Sequence, residues 1–501
     1  MTIIDGVTSG FLQSISIGVL PYLFIGSFFG LIIGIIPGLG GHFAMAMAVT
    51  FLYTMEPNSG IAFLLGAHAT VAQGGGLTAI LFSTPGTGQN AATLLDGPPM
   101  RDNGKGGVAV GAAMASCFLG ATFGALVLAL LIPILRDVVL IFGPPEIFVL
   151  AFLALTFVAV LGKEDLIRSL IAALCGMLLA MIGLDNVTNT ARFTMGSLSL
   201  QDGVSLVPVI LGLFAVAEMF ELWAKGGSLA RHSGGALSAK ETQKQIFEGI
   251  GLAFKNWWLV IRCSAIGTAM GLVPGLGSAP AAFVAYGHAK QTSKSPETFG
   301  KGNIEGVIGP ESANDAVEGG ALASTIAFGI PGSSSMAILL SGLFILGLET
   351  GPRMLNQNLD IVFVMIFTII IGNLIGTIIG MFLVNPMSRA TSIKSEIMVP
   401  VLLAIIITGA YATDRSMFDI GVAILFGVVG LLMKILNYSR SALLIGLVLG
   451  FAVEKNLYLA LLLKGPFFFM KPLPAALLIL TFGFLAYNIY GIARDRKKAK
   501  A

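Results

Sequence analysis

Two short Pro-Gly segments contain the residues best suited to binding a small anion. Residues 84–87 read Thr-Pro-Gly-Thr, and residues 330–335 read Ile-Pro-Gly-Ser-Ser-Ser. In each segment we expect an apolar half-helix to end at Pro-Gly, because proline cannot continue a helix. Thr87 or Ser333 would then cap a second half-helix by accepting hydrogen bonds from its free N–H groups. A helix N-terminus carries roughly +0.5 charge, which favours a carboxylate.

Hydroxyl and amide side chains beside the two breaks would add hydrogen bonds to the same anion. The predicted substrate-binding residues are Thr84, Pro85, Gly86, Thr87, Gln89, Asn90, Pro331, Gly332, Ser333, Ser334 and Ser335. Unwound carbonyl groups on the other side of each break are suited to holding Na⁺. The alternative interpretation of each segment is a capped turn at the membrane surface.

A second pair of motifs predicts where a cation would bind. Residues 34–41 read GIIPGLGG, and residues 271–278 read GLVPGLGS. Each motif ends a membrane helix and leaves carbonyl groups that need a partner, which can be water, a cation or the next half-helix. The predicted ion-binding residues are Gly38, Gly40, Gly275, Gly277, Asn314 and Asp315. The alternative is a closely packed turn between two helices.

Acidic residues lie beside these motifs. Glu311, Asp315 and Glu318 lead into the second break, and Asp96 follows the first. Carboxylates in such places can bind Na⁺ or carry a proton, and they can equally form the solvated face of a loop. The nearby histidines, His42 and His68, are given no role.

The order of the motifs indicates an internal repeat. Pro-Gly-Leu-Gly precedes the Pro-Gly break in both halves, and a polar linker at 225–255 separates the two pairs. An ordered pair of motifs on each side of a linker is typical of a repeated architecture. The linker and the C-terminal tail are basic and belong in the cytoplasm, whereas no Lys or Arg precedes Arg101, so the N-terminus is expected outside. Entry from opposite sides predicts two inverted repeats.

Composition excludes several classes of protein. Of the 501 residues, 55% are apolar and 11% are charged, and the net charge is +3. These values exclude a soluble cytosolic globule, a disordered chain and a nucleic-acid-binding protein. The sequence contains no P-loop, zinc-protease or serine-hydrolase motif, so we predict neither an enzyme nor a cofactor beyond a coupling ion. Cys117, Cys175 and Cys263 are expected to pack as small core residues.

The expected fold is an all-α integral membrane protein. Long apolar runs predict roughly ten to twelve transmembrane helices in two inverted repeats. Shorter apolar pieces at 41–54, 60–83, 318–330 and 333–348 are interrupted by Gly and Pro, which favours re-entrant hairpins or discontinuous helices. No cleavable signal peptide is predicted. The predicted division is a first membrane repeat at 1–224, the cytoplasmic linker at 225–255, a second membrane repeat at 256–434, and C-terminal helices with a basic tail at 435–501.

Over residues 20–440 the sequence resembles the large membrane subunit of the tripartite tricarboxylate transporters. The resemblance is carried by GIIPGLGG, TAILFSTPGTGQNAATLLDGPPM, FGPPE, DGVSLVPVILGLFAVAE, GLVPGLG, FGKGNIEGVIGPESANDAVEGGAL and GIPGSSSMAILL. It implies a bacterial inner-membrane permease that imports a tricarboxylate or other carboxylate, such as citrate, on a Na⁺ or H⁺ gradient. It also implies an elevator-like mechanism and two partners, a small four-helix membrane subunit and a periplasmic solute-binding protein.

The sequence departs from the family's usual pattern where ligands are expected. Family members commonly have Gly-Gly-Ser at 74–76, Asn near Ser83, Pro-Ser-Ser near 88–90, and Asn-Asn where this chain has Asn314-Asp315. These differences bear on the substrate and the coupling ion rather than on the transporter class. The alternative functions are a stand-alone carboxylate permease and a membrane scaffold without catalysis.

Overall fold

A computed structural model describes most of the chain as helices. It covers residues 2–36, 39–161, 166–185, 189–225, 239–274, 276–384 and 395–500. Two predicted ion-binding residues, Gly38 and Gly275, and residues 226–238 of the predicted linker lie outside the described residues.

The first half of the chain contains ten α-helices and one short hairpin within these ranges. The helices are α1 (Ile3–Ser14), α2 (Leu20–Ile35), α3 (Gly40–Val49), α4 (Pro57–Phe82), α5 (Gly97–Met100), α6 (Gly106–Ile141), α7 (Pro144–Leu161), α8 (Leu166–Ala180), α9 (Leu206–Ile210) and α10 (Ala217–Lys225). Two π-helical turns, Arg101–Lys105 and Leu211–Val216, continue into α6 and α10. The 3₁₀ turns are Leu52–Thr54, Gly88–Ala91, Thr93–Leu95 and Leu198–Leu200, and the antiparallel strands are β1 (Gly183–Leu184) and β2 (Ala191–Arg192).

The second half contains eleven α-helices in the described ranges. They are α11 (Ala239–Lys255), α12 (Trp257–Leu272), α13 (Ser278–Thr292), α14 (Glu305–Phe328), α15 (Ser334–Ile345), α16 (Pro352–Asn356), α17 (Leu359–Leu383), α18 (Ser395–Asp414), α19 (Met417–Ile435), α20 (Arg440–Lys464) and α21 (Pro472–Lys500). The 3₁₀ turns are Pro296–Thr298 and Phe468–Met470.

Helix length and composition confirm an all-α, multi-pass membrane protein. Six described helical stretches are long and apolar enough to cross a bilayer, namely Gly97–Ile141, Leu206–Ala224, Leu359–Leu383, Glu396–Asp414, Met417–Ile435 and Arg440–Lys464. Six shorter apolar helices accompany them. Large apolar side chains such as Leu130, Leu462 and Ile479 lie on the outer surface, as expected for residues that face lipid. The total of ten to twelve passes stays a prediction.

Two of the apolar pieces expected to be interrupted belong to continuous helices. Residues 60–82 lie inside the 26-residue helix α4, and residues 318–328 lie inside α14. Their glycines do not break the helix, because backbone or side-chain atoms of neighbouring segments pack directly against them and supply the contacts that their own side chains would otherwise make. The chain departs from helical geometry only after Phe82 and after Phe328.

Helices α2 and α4 pack together in the same way as α12 and α14. A Cβ at Gly30 would overlap the carbonyl oxygen of Ala67, and a Cβ at Gly267 would overlap that of Ala313. Small residues therefore allow the backbones of both pairs to approach closely. The two motif-bearing halves thus build matching helix pairs from matching glycines.

The two halves are also interleaved. Helix α6 of the first half packs along α14 of the second, and α17 of the second half packs along α4 of the first. Likewise α11 lies on α6, and α1 lies on α17. Helices α4 and α14 run antiparallel, since Gly76 lies beside Glu311 whereas His68 lies beside Glu318.

A second group of helices packs around this interleaved core. Helix α8 packs on α20, where a Cβ at Gly176 would overlap the carbonyl oxygen of Leu443. The π-helical turn Leu211–Val216 packs on α19. Helices α7 and α21 also pack together, so residues before the linker contact residues of the C-terminal part. The boundaries of the predicted division stay a prediction.

Candidate functional site

The first break folds the chain back along the helix that precedes it. Helix α4 ends at Phe82, and Ser83 adopts a left-handed conformation with φ 53°. The Gly86 N–H then donates to the carbonyl oxygen of Gly75, at 3.3 Å. Gly86 has no room for a side chain, because a Cβ there would overlap the carbonyl oxygen of Gly34. The two motifs of the first half therefore touch each other.

Thr87 does not cap a half-helix, which corrects the sequence-based expectation. Its hydroxyl donates instead to Asn90 Oδ1 at 2.6 Å, and no side-chain cap forms. The residues that follow form only the 3₁₀ turns Gly88–Ala91 and Thr93–Leu95 before α5. Gly88 weakens a helix, and the prolines at 98 and 99 cannot donate backbone hydrogen bonds, so a regular half-helix does not extend from this position. The first break therefore offers no helix N-terminus to an anion.

The second break has the expected form. Helix α14 is closed by Gly329, which adopts φ 67°. Ser333 Oγ accepts a hydrogen bond from the Met336 N–H at 3.2 Å, which confirms the predicted cap at the start of α15. Ser334 and Ser335 form the buried first turn of this 12-residue helix. A Cβ at Gly332 would lie 3.2 Å from the carbonyl oxygen of Gly271, so the two motifs of this half also approach each other.

The two breaks lie on either side of the crossing between α4 and α14. Gly86 lies beside Gly75 of α4, and Gly332 lies beside Ala321 of α14. Because these helices are antiparallel, the two glycines are displaced from the crossing in opposite directions. No hydrogen bond links residues 84–90 to residues 331–335 in the part of the chain that the structure describes. The structure therefore places the predicted substrate-binding residues in two separate groups.

The other predicted residues near the breaks have mixed surroundings. Thr84 is exposed and donates only to the carbonyl oxygen of Phe82, whereas Gln89 lies beside Gly41 at the start of α3. Pro85 is half-buried and Pro331 is buried. Of the predicted ion-binding glycines that are described, Gly40 and Gly277 have φ values of 70° and 67°, which bend the chain into α3 and α13.

A buried hydrogen-bond network forms between the first break and α14. Glu311 is 1% exposed and accepts hydrogen bonds from Asn90 Nδ2, at 3.3 Å, and from the Thr93 hydroxyl. The Cys117 thiol of α6 donates to Glu311 Oε2 at 3.2 Å. The turn after the first break therefore carries Asn90 to a carboxylate of the second half. Sequence reasoning missed Thr93 and Cys117, and Cys117 gave no signal because it lies within an apolar run.

Asn314 and Asp315 lie on the same face of α14 as Glu311. They are 1% and 3% exposed, respectively. Neither side-chain atom of Asn314 has a hydrogen-bond partner among the described residues, and the same holds for Asp315 Oδ2. Buried polar atoms usually have partners, and each one without a partner calls for an explanation.

A histidine–carboxylate pair crosses between α4 and α14. His68 Nε2 lies 2.6 Å from Glu318 Oε2, and both side chains are buried. His68 received no role from sequence, because the residues alone do not show that α14 brings a carboxylate to it. His42, the other unassigned histidine, stacks on Phe214 with 5.1 Å between ring centroids. The pair places a third carboxylate, Glu318, beside Glu311 and Asp315 on α14 and brings His68 of α4 against it.

Asp96 is an anchor between the two halves rather than a free carboxylate. Its Oδ1 accepts from the backbone N–H groups of Gly300, Gly302 and Asn303 at 2.8–2.9 Å. Its Oδ2 accepts from the Tyr286 hydroxyl at 2.9 Å. Because both oxygens are occupied, Asp96 holds the loop that leads into α14. Since Asp96 is also fully buried, it does not form the solvated face of a loop.

Comparisons with known proteins agree with the resemblance. The family described as the tripartite tricarboxylate transporter TctA family matches residues 20–445. A protein of Agrobacterium vitis, described as an uncharacterized 52.8 kDa protein in the TAR-I ttuC' 3' region, is 30% identical over 492 residues, which are 95% of this chain and 94% of that protein. A second A. vitis protein, described as uncharacterized in the TAR-II ttuC' 3' region, is 30% identical over 215 residues, or 42% of this chain and 89% of the relative. No solved structure matches the chain.

Proposed function

The chain belongs to the tripartite tricarboxylate transporter TctA family, and from this premise we propose that it is the large permease subunit of a cation-driven secondary transporter that imports a carboxylate. A tricarboxylate such as citrate is the proposed substrate. The observation that carries the proposal is the strip of buried polar side chains where α4 and α14 cross. Ionisable residues inside a membrane domain are costly and usually mark the path of a substrate or an ion.

The proposed substrate site lies at the second break. The N-terminus of α15, with the hydroxyls of Ser333, Ser334 and Ser335, supplies backbone donors and the positive end of a helix dipole. Thr84 and Gln89 lie at the first break and belong to the other group of predicted substrate-binding residues. An anion bound at the second break would contact residues of the second half, at the start of α15, and α15 packs on α3 of the first half.

We further propose that the halves are inverted repeats and that transport is elevator-like. The antiparallel course of α4 and α14, which occupy equivalent places in the two helix pairs, supports inversion. The interleaved core, α1–α6 with α11–α17, would move against the second group of helices. Helices α3 and α15 pack on each other at the edge of the core and also contact that second group.

Coupling to cations follows from the charge of the substrate. Moving one uncompensated charge across 100 mV costs about 2.3 kcal/mol, so a carboxylate with several charges needs co-transported cations. We propose Na⁺ or H⁺ in this role, with a small four-helix membrane subunit and a periplasmic solute-binding protein as partners. The protein would lie in the bacterial inner membrane, with the linker and the C-terminus in the cytoplasm and the N-terminus in the periplasm.

Uptake by proteoliposomes tests the function. Vesicles containing the chain and the small subunit, with the binding protein outside, should accumulate radiolabelled citrate when an inward Na⁺ or H⁺ gradient is imposed. Uptake that ignores both gradients would contradict the coupling. Equal uptake without the binding protein and small subunit would favour the stand-alone permease, and no uptake of any tested carboxylate would favour the scaffold.

A further inference from the structure

The buried acidic cluster on α14 has more negative charge than the surrounding protein balances. One ligand atom each from Cys117, Glu311 and Asp315 lies within 4.8 Å of the other two, and all three residues are buried. His68 pairs with Glu318 and is therefore committed elsewhere. Within the described ranges, no Lys or Arg forms an ion pair with Glu311 or Asp315. Two buried carboxylates without a cation are strongly unfavourable.

Glu311 has its own compensation. Both of its oxygens accept hydrogen bonds, from Asn90, Thr93 and Cys117. Several donors directed at one carboxylate stabilise its negative charge. Glu311 can therefore remain charged in this position without a bound ion, and the unbalanced group is its neighbour one helical turn later, Asp315.

Asp315 and Asn314 have buried polar atoms that the hydrogen-bond network around Glu311 does not satisfy. Asp315 Oδ2 has no partner, and the Asn314 side chain, which faces Glu311, makes no hydrogen bond of acceptable geometry within the described structure. An unsatisfied buried polar atom costs about 1–3 kcal/mol. The unpaired oxygens of two successive residues, Asn314 Oδ1 and Asp315 Oδ2, therefore lie close to the Glu311 carboxylate.

We infer that Asp315 and Asn314, backed by the Glu311 carboxylate, form a binding site for one sodium ion. Oxygen ligands suit a hard cation, and a single positive charge neutralises the one carboxylate that the hydrogen bonds leave uncompensated. Ca²⁺ takes six to eight oxygen ligands and Mg²⁺ demands near-ideal octahedral geometry, which this short set of oxygens does not offer. The inference rests on the proposed function in one respect, since a sodium ion held here would be the coupling ion.

Direct binding of radioactive sodium to the purified full-length chain in detergent tests the site. The wild-type chain should bind sodium saturably, and Asp315→Asn should weaken binding by about tenfold or more, because it removes the charged ligand. Asn314→Ala should weaken it to a smaller extent. Asp360→Asn is the matched control, because Asp360 lies on α17 with Gln13 as its partner and away from the cluster, so this variant should bind like the wild type.

Thermal unfolding gives an independent readout. Sodium chloride should raise the unfolding temperature of the wild type and of Asp360→Asn relative to equal concentrations of choline chloride, because a ligand that binds only the folded state stabilises it. The unfolding temperature of Asp315→Asn should be the same in sodium chloride and in choline chloride. In choline chloride, Asp315→Asn should remain folded, because it replaces a buried carboxylate by a neutral side chain of the same shape.

Several results would overturn the inference. The first is the absence of saturable sodium binding by the wild type, as expected if a proton alone neutralises Asp315. The second is sodium binding by Asp315→Asn that equals that of the wild type. The third is a loss of sodium binding in Asp360→Asn as large as that in Asp315→Asn. The uptake assay separates this inference from the proposed function. Sodium-driven citrate uptake that Asp315→Asn leaves unchanged would contradict the sodium site and support the transporter function. Sodium binding that depends on Asp315, without uptake of any carboxylate, would support the sodium site and contradict the transporter function.

Discussion

The two Pro-Gly breaks begin alike and end differently. Each follows a long buried helix that ends at a left-handed residue, Ser83 or Gly329, and each brings a glycine next to the helix pair of its own half. After the second break, Ser333 caps the regular helix α15. After the first, the chain forms 3₁₀ turns, and Asn90 reaches across to Glu311.

The difference shows that one kind of motif can serve two purposes in one protein. The second break ends in backbone donors at a helix N-terminus, which suits an anion. After the first break, Asn90 and Thr93 donate hydrogen bonds to the Glu311 carboxylate of the other half, and such donors stabilise a buried negative charge. Repetition of a motif therefore specifies where the chain turns, and the residues after the turn specify what the turn does.

The largest expected effect comes from adding a methyl group at Gly86. A Cβ there would overlap the carbonyl oxygen of Gly34 and lie 2.6 Å from Gly75 Cα, so the backbone itself must shift. At Gly332 the closest atoms would be 3.0 Å away, which small adjustments can accommodate. We expect Gly86→Ala to abolish uptake and to destabilise the protein by about 3 kcal/mol, and Gly332→Ala to cost about 1 kcal/mol and retain partial uptake. Bulkier residues at either position should abolish uptake.

Gly421 of α19 provides the control, because a Cβ there would meet no atom within 4 Å. Gly421→Ala should leave uptake unchanged and raise helix stability slightly. Membrane insertion, measured by the yield of monodisperse protein, should be similar for all three variants. Normal uptake by Gly86→Ala would contradict the close packing described for the first break.

Much of this comparison could be predicted from sequence. Gly and Pro mark the ends of α4 and α14 to within a few residues, and Ser333 was identified as a cap from its position after Pro-Gly. These features are local, since proline removes a backbone donor and glycine tolerates positive φ wherever they occur. High hydropathy likewise suffices for the all-α membrane class.

The contacts that give the first break its role could not be predicted in this way. Asn90 and Glu311 are 221 residues apart, and only the antiparallel packing of α4 and α14 brings them together. Thr87 was expected to cap a helix because Thr is a good cap in general, but its hydroxyl has a closer acceptor in Asn90. The continuity of α4 through Gly74, Gly75 and Gly76 also depends on partners elsewhere in the chain.

An intermediate effect is expected at Asp96, which ties the segment after the first break to the second half. Asp96→Ala leaves the backbone N–H groups of Gly300, Gly302 and Asn303 without their acceptor, and should destabilise the protein by about 2–3 kcal/mol. Tyr286→Phe removes only one bond to the same carboxylate and should cost about 1 kcal/mol. Thermal unfolding of the purified variants checks both values. Equal stability of Asp96→Ala and the wild type would show that the first break does not depend on this anchor.

The smallest expected effect separates a true helix cap from a residue that only occupies the equivalent position. Ser333→Ala should lower stability by about 1 kcal/mol, and Ser333→Asn should restore most of it, because Asn caps a helix as well as Ser does. Thr87→Val should also cost about 1 kcal/mol, through the lost hydrogen bond to Asn90. Thr87→Asn should not recover that loss, since no helix of more than one turn follows. Thermal unfolding of the four variants decides the matter. Recovery at Thr87 as complete as that at Ser333 would mean that the two breaks are capped alike and that their difference lies beyond the first turn.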